Sequence, residues 1–196
     1  TKQLIAKSGY SSQLGFEIYL NNSKFGEKLW DTICSFGKKY NLRPGAPNLI
    51  DRIEAGLLSF GNDMTSENSP LECGFEKYCA LSSDIDFIGK AKLKSEKNIG
   101  PKLKLCGIAF GGEAQSACTI PWPIYFNNLK IGEITSGIYN PSLKVNTGIA
   151  LVMTENLDKL STVKVKALNS KITEGVICSL PFTISKNYEL INQIRY

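Results

Sequence analysis

The run SGYSSQLGFEIYL, residues 8–20, sets a single carboxylate, Glu17, between Phe16 and Ile18, with Tyr10 seven residues before it and Tyr19 two after. In an extended chain, alternation places Glu17 and Tyr19 on one face and Phe16, Ile18 and Leu20 on the other. The acid and the phenol then point the same way, into solvent or into a pocket. No histidine occurs anywhere in the chain, which removes the Ser/His/Asp triad, the Cys/His pair and most zinc and non-haem iron sites. Six cysteines remain, at 34, 73, 79, 106, 118 and 178, none of them in a CxxC pair. They read as reduced, mostly buried, small apolar residues.

A second group with chemical potential is the basic run Lys90, Lys92, Lys94, Lys97, Lys102 and Lys104. It reads either as a solvated helix and linker or as an attractor for an anionic ligand or partner. Residues 90–104 contain no aromatic side chain, so the pattern of a nucleic-acid surface is missing.

The elements that position these residues follow from periodicity. Residues 8–20 read as a strand. From Ser23 to about Lys39, Phe25, Leu29, Ile33 and Phe36 recur at helical spacing beside Trp30 and Cys34, with Asn21, Asn22 and Ser23 as candidate caps. The turn LRPGAPN follows, and Pro47 is placed to start a second helix. In that helix Leu49, Ile50, Ile53, Leu57 and Leu58 form one stripe, which leaves Asp51, Arg52 and Glu54 on the surface. FGNDMTSENSP then reads as a loop.

Beyond Pro101 the texture changes to six short alternating segments: 103–110, 123–126, 129–139, 148–153, 162–168 and 171–182. Asn127-Asn128 and Asn169-Ser170 read as tight turns between them. Six strands so spaced suggest a small closed barrel or a sandwich. The natural boundary lies near Asn98–Lys102, giving domains 1–98 and 99–196.

With 196 residues, 42% hydrophobic and 21% charged, the composition is that of an ordinary soluble globular protein. No apolar run approaches the roughly 18 to 20 residues that cross a bilayer, and the start TKQLIAKSGY lacks a signal-peptide core. A cytoplasmic protein without membrane contact is the expectation. The start without Met suggests a chain cut from something longer.

The stretches DRIEAGLLSFGNDMTSENSPLECGF and IGEITSGIYNPSLKVNTGIALV resemble the folate-dependent aminomethyltransferase family. That family includes the glycine cleavage T-protein, the related domains of dimethylglycine and sarcosine dehydrogenases, and dimethylsulfoniopropionate demethylase. Its pattern is an acid in a G-F/Y-E-I/V strand, an R-L/I-E-A/S-G/A-L helix, a Y/F-G-N-D loop followed by P-x-E, and a barrel carrying I-G-x-x-T-S-G-x-x-S/N-P-S/T-L. All four occur here in order. Within the family, residues 46–93 look most like the demethylase branch. Asn48 stands where T-proteins have a folate-holding Arg in A-R-D, and SQLG at 12–15 replaces their G-E-D-G turn. The iron–sulfur-repair relatives carry K-G-C-x-x-G-Q-E, which the segment ECGFEKYCA does not match.

The resemblance implies an α+β fold: the remainder of a folate-binding domain, with strands and two or three helices, followed by a six-stranded antiparallel β-barrel. It implies tetrahydrofolate as cofactor and a small-molecule methyl donor, a sulfonium or an amine. By the resemblance Glu17 aligns with the family's pterin-binding glutamate, and the chemistry suits that role: an ionised carboxylate accepts two parallel N–H donors in a bidentate arrangement. Tyr10 falls where the demethylase has a tryptophan, giving folate an aromatic wall of smaller area. Tyr19 aligns with a tyrosine close to the bound donor, where an aromatic face suits a cation. Arg52, Glu54 and Asp63 are motif residues read as scaffolding: Arg52 and Glu54 tie to different neighbours, and Asp63 caps a loop. Ser136 and Gly137 read as a turn device.

No catalytic residue and no metal ligand is assigned to this chain, because the family's N-terminal half, with the T-protein's catalytic aspartate, is not in the sequence. The expected partner is that missing half or a second copy of the chain. Complete enzymes of this kind move a methyl from positive sulfur or nitrogen to tetrahydrofolate, chiefly by alignment and exclusion of water. The alternatives are a T-protein-like aminomethyltransferase and a non-catalytic folate-binding module.

Overall fold

A computed structural model describes residues 3–46, 48–159, 162–168, 171–182 and 185–194. The expected helix start at Pro47 and turn at Asn169-Ser170 lie outside the described residues. The chain divides into two compact units, Thr1–Asn48 and Leu49–Tyr196. The change of texture at Asn98–Lys102 is where the last helix before the barrel ends.

In the first unit, strand β1 (Leu4–Ala6) pairs antiparallel with β2 (Glu17–Tyr19). The strand expected over residues 8–20 is therefore three residues long, and residues 7–16 form a loop. Gly9, Gly15 and three serines in that loop favour turns over a ladder, and Ser12 adopts a left-handed φ of 61°. The expected helix begins as a 3-10 turn, Ser23–Phe25, capped by the Asn22 side chain, which accepts from Lys24 N at 3.0 Å. It continues as α1 (Gly26–Gly37) and ends in a second 3-10 turn, Lys38–Tyr40. Left-handed Asn41, with φ 58°, stops it, and Leu42 N donates to Gly37 O at 3.1 Å.

The second unit opens with α2 (Leu49–Ala55). Gly56, at φ +70°, terminates the helix where a Cβ would meet Leu180 Cβ at 2.9 Å, so only glycine fits the turn and the neighbour together. A long loop with a 3-10 turn at Glu76–Tyr78 leads to α3 (Lys90–Ile99). The basic run lies mostly on the exposed surface of α3, except Lys90. Its ammonium turns inward and donates to Ser83 O and Ile85 O.

Six strands follow: β3 (Leu103–Phe110), β4 (Trp122–Phe126), β5 (Leu129–Asn140), β6 (Val145–Met153), β7 (Thr162–Val165) and β8 (Thr173–Cys178). They close an antiparallel barrel in the order β3-β6-β5-β4-β7-β8, and the sandwich alternative falls. Asn127 and Asn128 have φ of 48° and 64°, the pair of left-handed residues that a two-residue hairpin requires. β6 begins three residues before the apolar pattern suggested, because its polar Asn146 and Thr147 are fully buried. Asn146 is satisfied there: its amide donates to Gly111 O and Glu113 O at 3.2 and 3.0 Å and accepts from Gln115 N at 2.8 Å.

Alternate barrel residues, among them Ile108, Phe110, Trp122, Ile124, Ile134 and Val152, fill the interior, where Phe110 and Trp122 meet edge to face at 5.8 Å. The opposite set, including Ala109, Val145, Ile149 and Val176, packs with Ile53 of α2 and Ile191 of α4 (Ser185–Asn192). Helix α4 was not foreseen from the sequence. All six cysteines are free; Cys73, Cys106 and Cys178 are buried and the others half-buried. Burial pushes the Cys106 and Cys178 thiols up to about 12. No described helix is long and apolar enough to cross a membrane.

Candidate functional site

The pairing of β1 with β2 decides which way the candidate residues face. Ala6 lies across from Glu17 and Leu4 across from Tyr19, so these four share one face, while Ile5 and Ile18 share the other. The alternation read from the sequence thus holds for Glu17 and Tyr19. Both are exposed. The Ser8 hydroxyl donates to Glu17 Oε2 and fixes that oxygen across the loop. Ala6, across from the acid, carries only a methyl group, and a Cβ built on Gly9 or Gly15 meets no atom within 4 Å. Tyr10 lies apart from the strand pair, in the loop between them, half exposed.

An ionised carboxylate on an open face beside a tyrosine ring is chemically an acceptor for paired N–H donors next to a cation-tolerant surface. Sequence reasoning missed Ser8, whose only signal was a hydroxyl nine residues before the acid.

The other motif residues assemble in the second unit, and their role is structural. Arg52, expected on the surface, is 7% exposed and Asp63 is 1% exposed. Arg52 Nη1 donates to Asp63 Oδ2 and to Leu57 O, both at 2.7 Å. Asp63 Oδ2 also accepts from Ser59 N at 2.8 Å, and its Oδ1 accepts from Thr135 Oγ1 at 2.7 Å. Asp63 is thus the loop-capping acid expected, and it also fastens the loop to the barrel.

Glu54 takes a different neighbour: its Oε2 accepts from Asn140 Nδ2 at 2.8 Å, while Asn140 Oδ1 accepts from Ser142 N and Leu143 N, both at 3.0 Å. Thr135 and Asn140 were not singled out in the sequence, although both stand inside the TSG…NP motif. Ser136 and Gly137 are not a turn. They sit in mid-strand beside a β-bulge at Thr135, and Gly137 leaves the space that Trp122 fills, since a Cβ there would meet Trp122 Cζ3 at 2.6 Å. The bulge turns the Thr135 side chain outward to Asp63. Nearby, the half-buried Cys118 thiol is pushed up to about 11, chiefly by burial, with the Asp63 carboxylate adding in the same direction.

Comparison with known proteins extends over both units. The model of the GCVT N-terminal domain matches residues 1–83, and that of the glycine cleavage T-protein C-terminal barrel domain matches residues 104–183. The dimethylsulfoniopropionate demethylase of Ruegeria pomeroyi is 42% identical over 149 residues, 76% of this chain and 40% of its own length. An aminomethyltransferase of Thermoanaerobacter sp. is 34% identical over 191 residues, 95% of this chain and 50% of its own. The crystal structure of the glycine cleavage system aminomethyltransferase T from Bartonella henselae superposes with a TM-score of 0.70 at 22% identity, over 91% of this chain and 49% of that one, a likeness of fold. The chain spans about half the length of the curated relatives it matches.

Proposed function

Because the chain belongs to the aminomethyltransferase family of the glycine cleavage T-protein, we propose that it forms the C-terminal part of a tetrahydrofolate-dependent methyltransferase whose donor is a sulfonium or an amine. Glu17 holds the pterin edge, Tyr10, from the loop between the strands, supplies an aromatic wall for the folate, and Tyr19 faces the donor. The observation that carries this reading is the shared face of Glu17 and Tyr19, with Ala6 opposite the acid.

Tetrahydrofolate supplies the nitrogen that receives the one-carbon group. The chain's own residues bind and orient. Glu17, steadied by Ser8, accepts two N–H donors, a charge-assisted pair about twice as strong as neutral hydrogen bonds. Tyr19 offers a ring face to a positive sulfur or nitrogen, worth about 0.5–1 kcal/mol at an exposed position. No proton donor or nucleophile of this chain is needed, since a sulfonium already carries a good leaving group. Chemistry then depends on alignment and exclusion of water, and the chain acts only when the other half of the enzyme completes the enclosure.

The greater identity to the demethylase supports a sulfonium donor. Aminomethyl transfer is the second reading, supported by a match to aminomethyltransferases over nearly the whole chain. Calorimetric titration of the chain with tetrahydrofolate, beside a Glu17→Ala variant, tests the reading. Saturable binding lost in the variant is expected. Binding of equal strength in both removes Glu17 as the pterin ligand, and binding in neither means that the grip forms only with the other half of the enzyme.

A further inference from the structure

The register of the β1–β2 hairpin brings Ser8 to Glu17. Ala6 lies across from Glu17, and Ser8 stands two residues beyond Ala6, the diagonal place from which a side chain on the same face reaches the acid. Its hydroxyl donates to Glu17 Oε2. Among the described residues no ion pair involves Glu17, although Lys7, next to Ser8 in the chain, is exposed and close in sequence. Residues 7–16 form a loop, so Ser8 and Glu17 also stand at its two ends, with Tyr10 between them.

A hydroxyl suits this contact better than a cation would. An exposed glutamate turns about its side-chain bonds, whereas a bidentate grip needs both oxygens held toward the incoming donors. Fixing the carboxylate before the ligand arrives removes an ordering cost from binding. Serine is neutral and leaves the whole negative charge of Glu17 for the ligand. It uses one lone pair of Oε2, so the other lone pair and all of Oε1 stay open to donors. An arginine in its place would fill both oxygens with its own fork.

We propose that Ser8 is a positioning residue of the binding site: its hydroxyl holds the Glu17 carboxylate, before any ligand is bound, in the orientation that receives two parallel N–H donors. The proposal rests on the reading of Glu17 as the pterin ligand. The same hydrogen bond closes the loop that carries Tyr10.

The test uses the full chain as wild type, Ser8→Ala, Ser8→Thr and Glu17→Ala. Three-bond couplings along the Glu17 side chain, measured by NMR without ligand, report its rotamer. One rotamer is expected in wild type and Ser8→Thr, and averaging in Ser8→Ala, with cross-strand amide contacts between residues 4–6 and 17–19 kept in all three. A serine that merely stapled the loop would change those contacts too. Titration with tetrahydrofolate then reads affinity. Binding about three- to tenfold weaker is expected in Ser8→Ala, the loss of one hydrogen bond, with recovery in Ser8→Thr. The proposal is overturned if Glu17 averages equally in wild type and Ser8→Ala. It is also overturned if Ser8→Ala binds like wild type while Glu17→Ala loses binding, a result that leaves the Glu17 reading intact. Wild-type affinity in Glu17→Ala removes that reading, and the proposal falls with it. If no form of the chain binds by itself, the coupling result alone decides.

Discussion

Replacing Asp63 by alanine removes the hub of the hydrogen-bond network that joins the α2 loop to the barrel. Ser59 N loses its carboxylate acceptor, Arg52 Nη1 keeps only Leu57 O of its two acceptors, and Thr135 Oγ1 is left with Ile149 O. The largest effect is at Arg52, whose side chain is 8% exposed, because a buried guanidinium loses the carboxylate it is paired with at 2.7 Å. Breaking a buried ion pair by deleting one partner costs about 3–5 kcal/mol. For a chain of this size about 2–4 °C of melting temperature accompanies each kcal/mol, so the barrel should melt roughly 6–20 °C lower.

The assay is thermal and urea unfolding followed by the fluorescence of Trp122, buried in the barrel, in a Trp30→Phe background that silences the exposed tryptophan. Thr135→Val, which removes one neutral donor, should cost only about 1 kcal/mol. Arg52→Met combined with Asp63→Ala should recover much of the single-variant loss. An Asp63→Ala protein within about 1 kcal/mol of wild type would refute the claim that this ion pair is a buried structural hub.

Gly137→Ala should lower barrel stability by about 1–3 kcal/mol in the same assay, because the new methyl enters the space of the Trp122 ring. The raised thiols of Cys106 and Cys178 give a pH dependence of definite sign. The unfolded chain releases their protons from about pH 9 and the folded chain only near 12, so stability present below pH 9 should fall as pH rises through that window; urea midpoints from pH 8 to 11 check it. Iodoacetamide at neutral pH, read by mass spectrometry, should label the half-buried Cys34 and Cys79 well before the buried Cys106 and Cys178.

Much of the fold was legible because local pattern and tertiary environment agree. The stripe of Leu29, Ile33 and Phe36 gives α1, the alternation of residues 103–110 gives β3, and Asn127-Asn128 gives the hairpin after β4. Legibility failed where long-range partners override pattern. Arg52 reads as a surface residue until Asp63, eleven positions on, and Thr135, a further 72, come together around it. Asn146 and Thr147 look like loop residues, but carbonyls of residues 111 and 113 satisfy Asn146 inside a strand. The candidate site was legible in its orientation, since strand alternation sets the facing of Glu17 and Tyr19. Its extent was not, because the loop at 7–16 owes its shape to glycine and serine turns rather than to apolar periodicity.

The central claim is that the pterin is gripped by the Glu17 face of the β1–β2 hairpin. Amide chemical-shift mapping of the isotope-labelled chain during a tetrahydrofolate titration tests it most directly. The account predicts saturable shifts at Ala6, Glu17, Ile18 and Tyr19 that disappear in Glu17→Ala. Shifts confined to the barrel, or to the Asp63–Thr135 junction, with the hairpin unmoved, would contradict it.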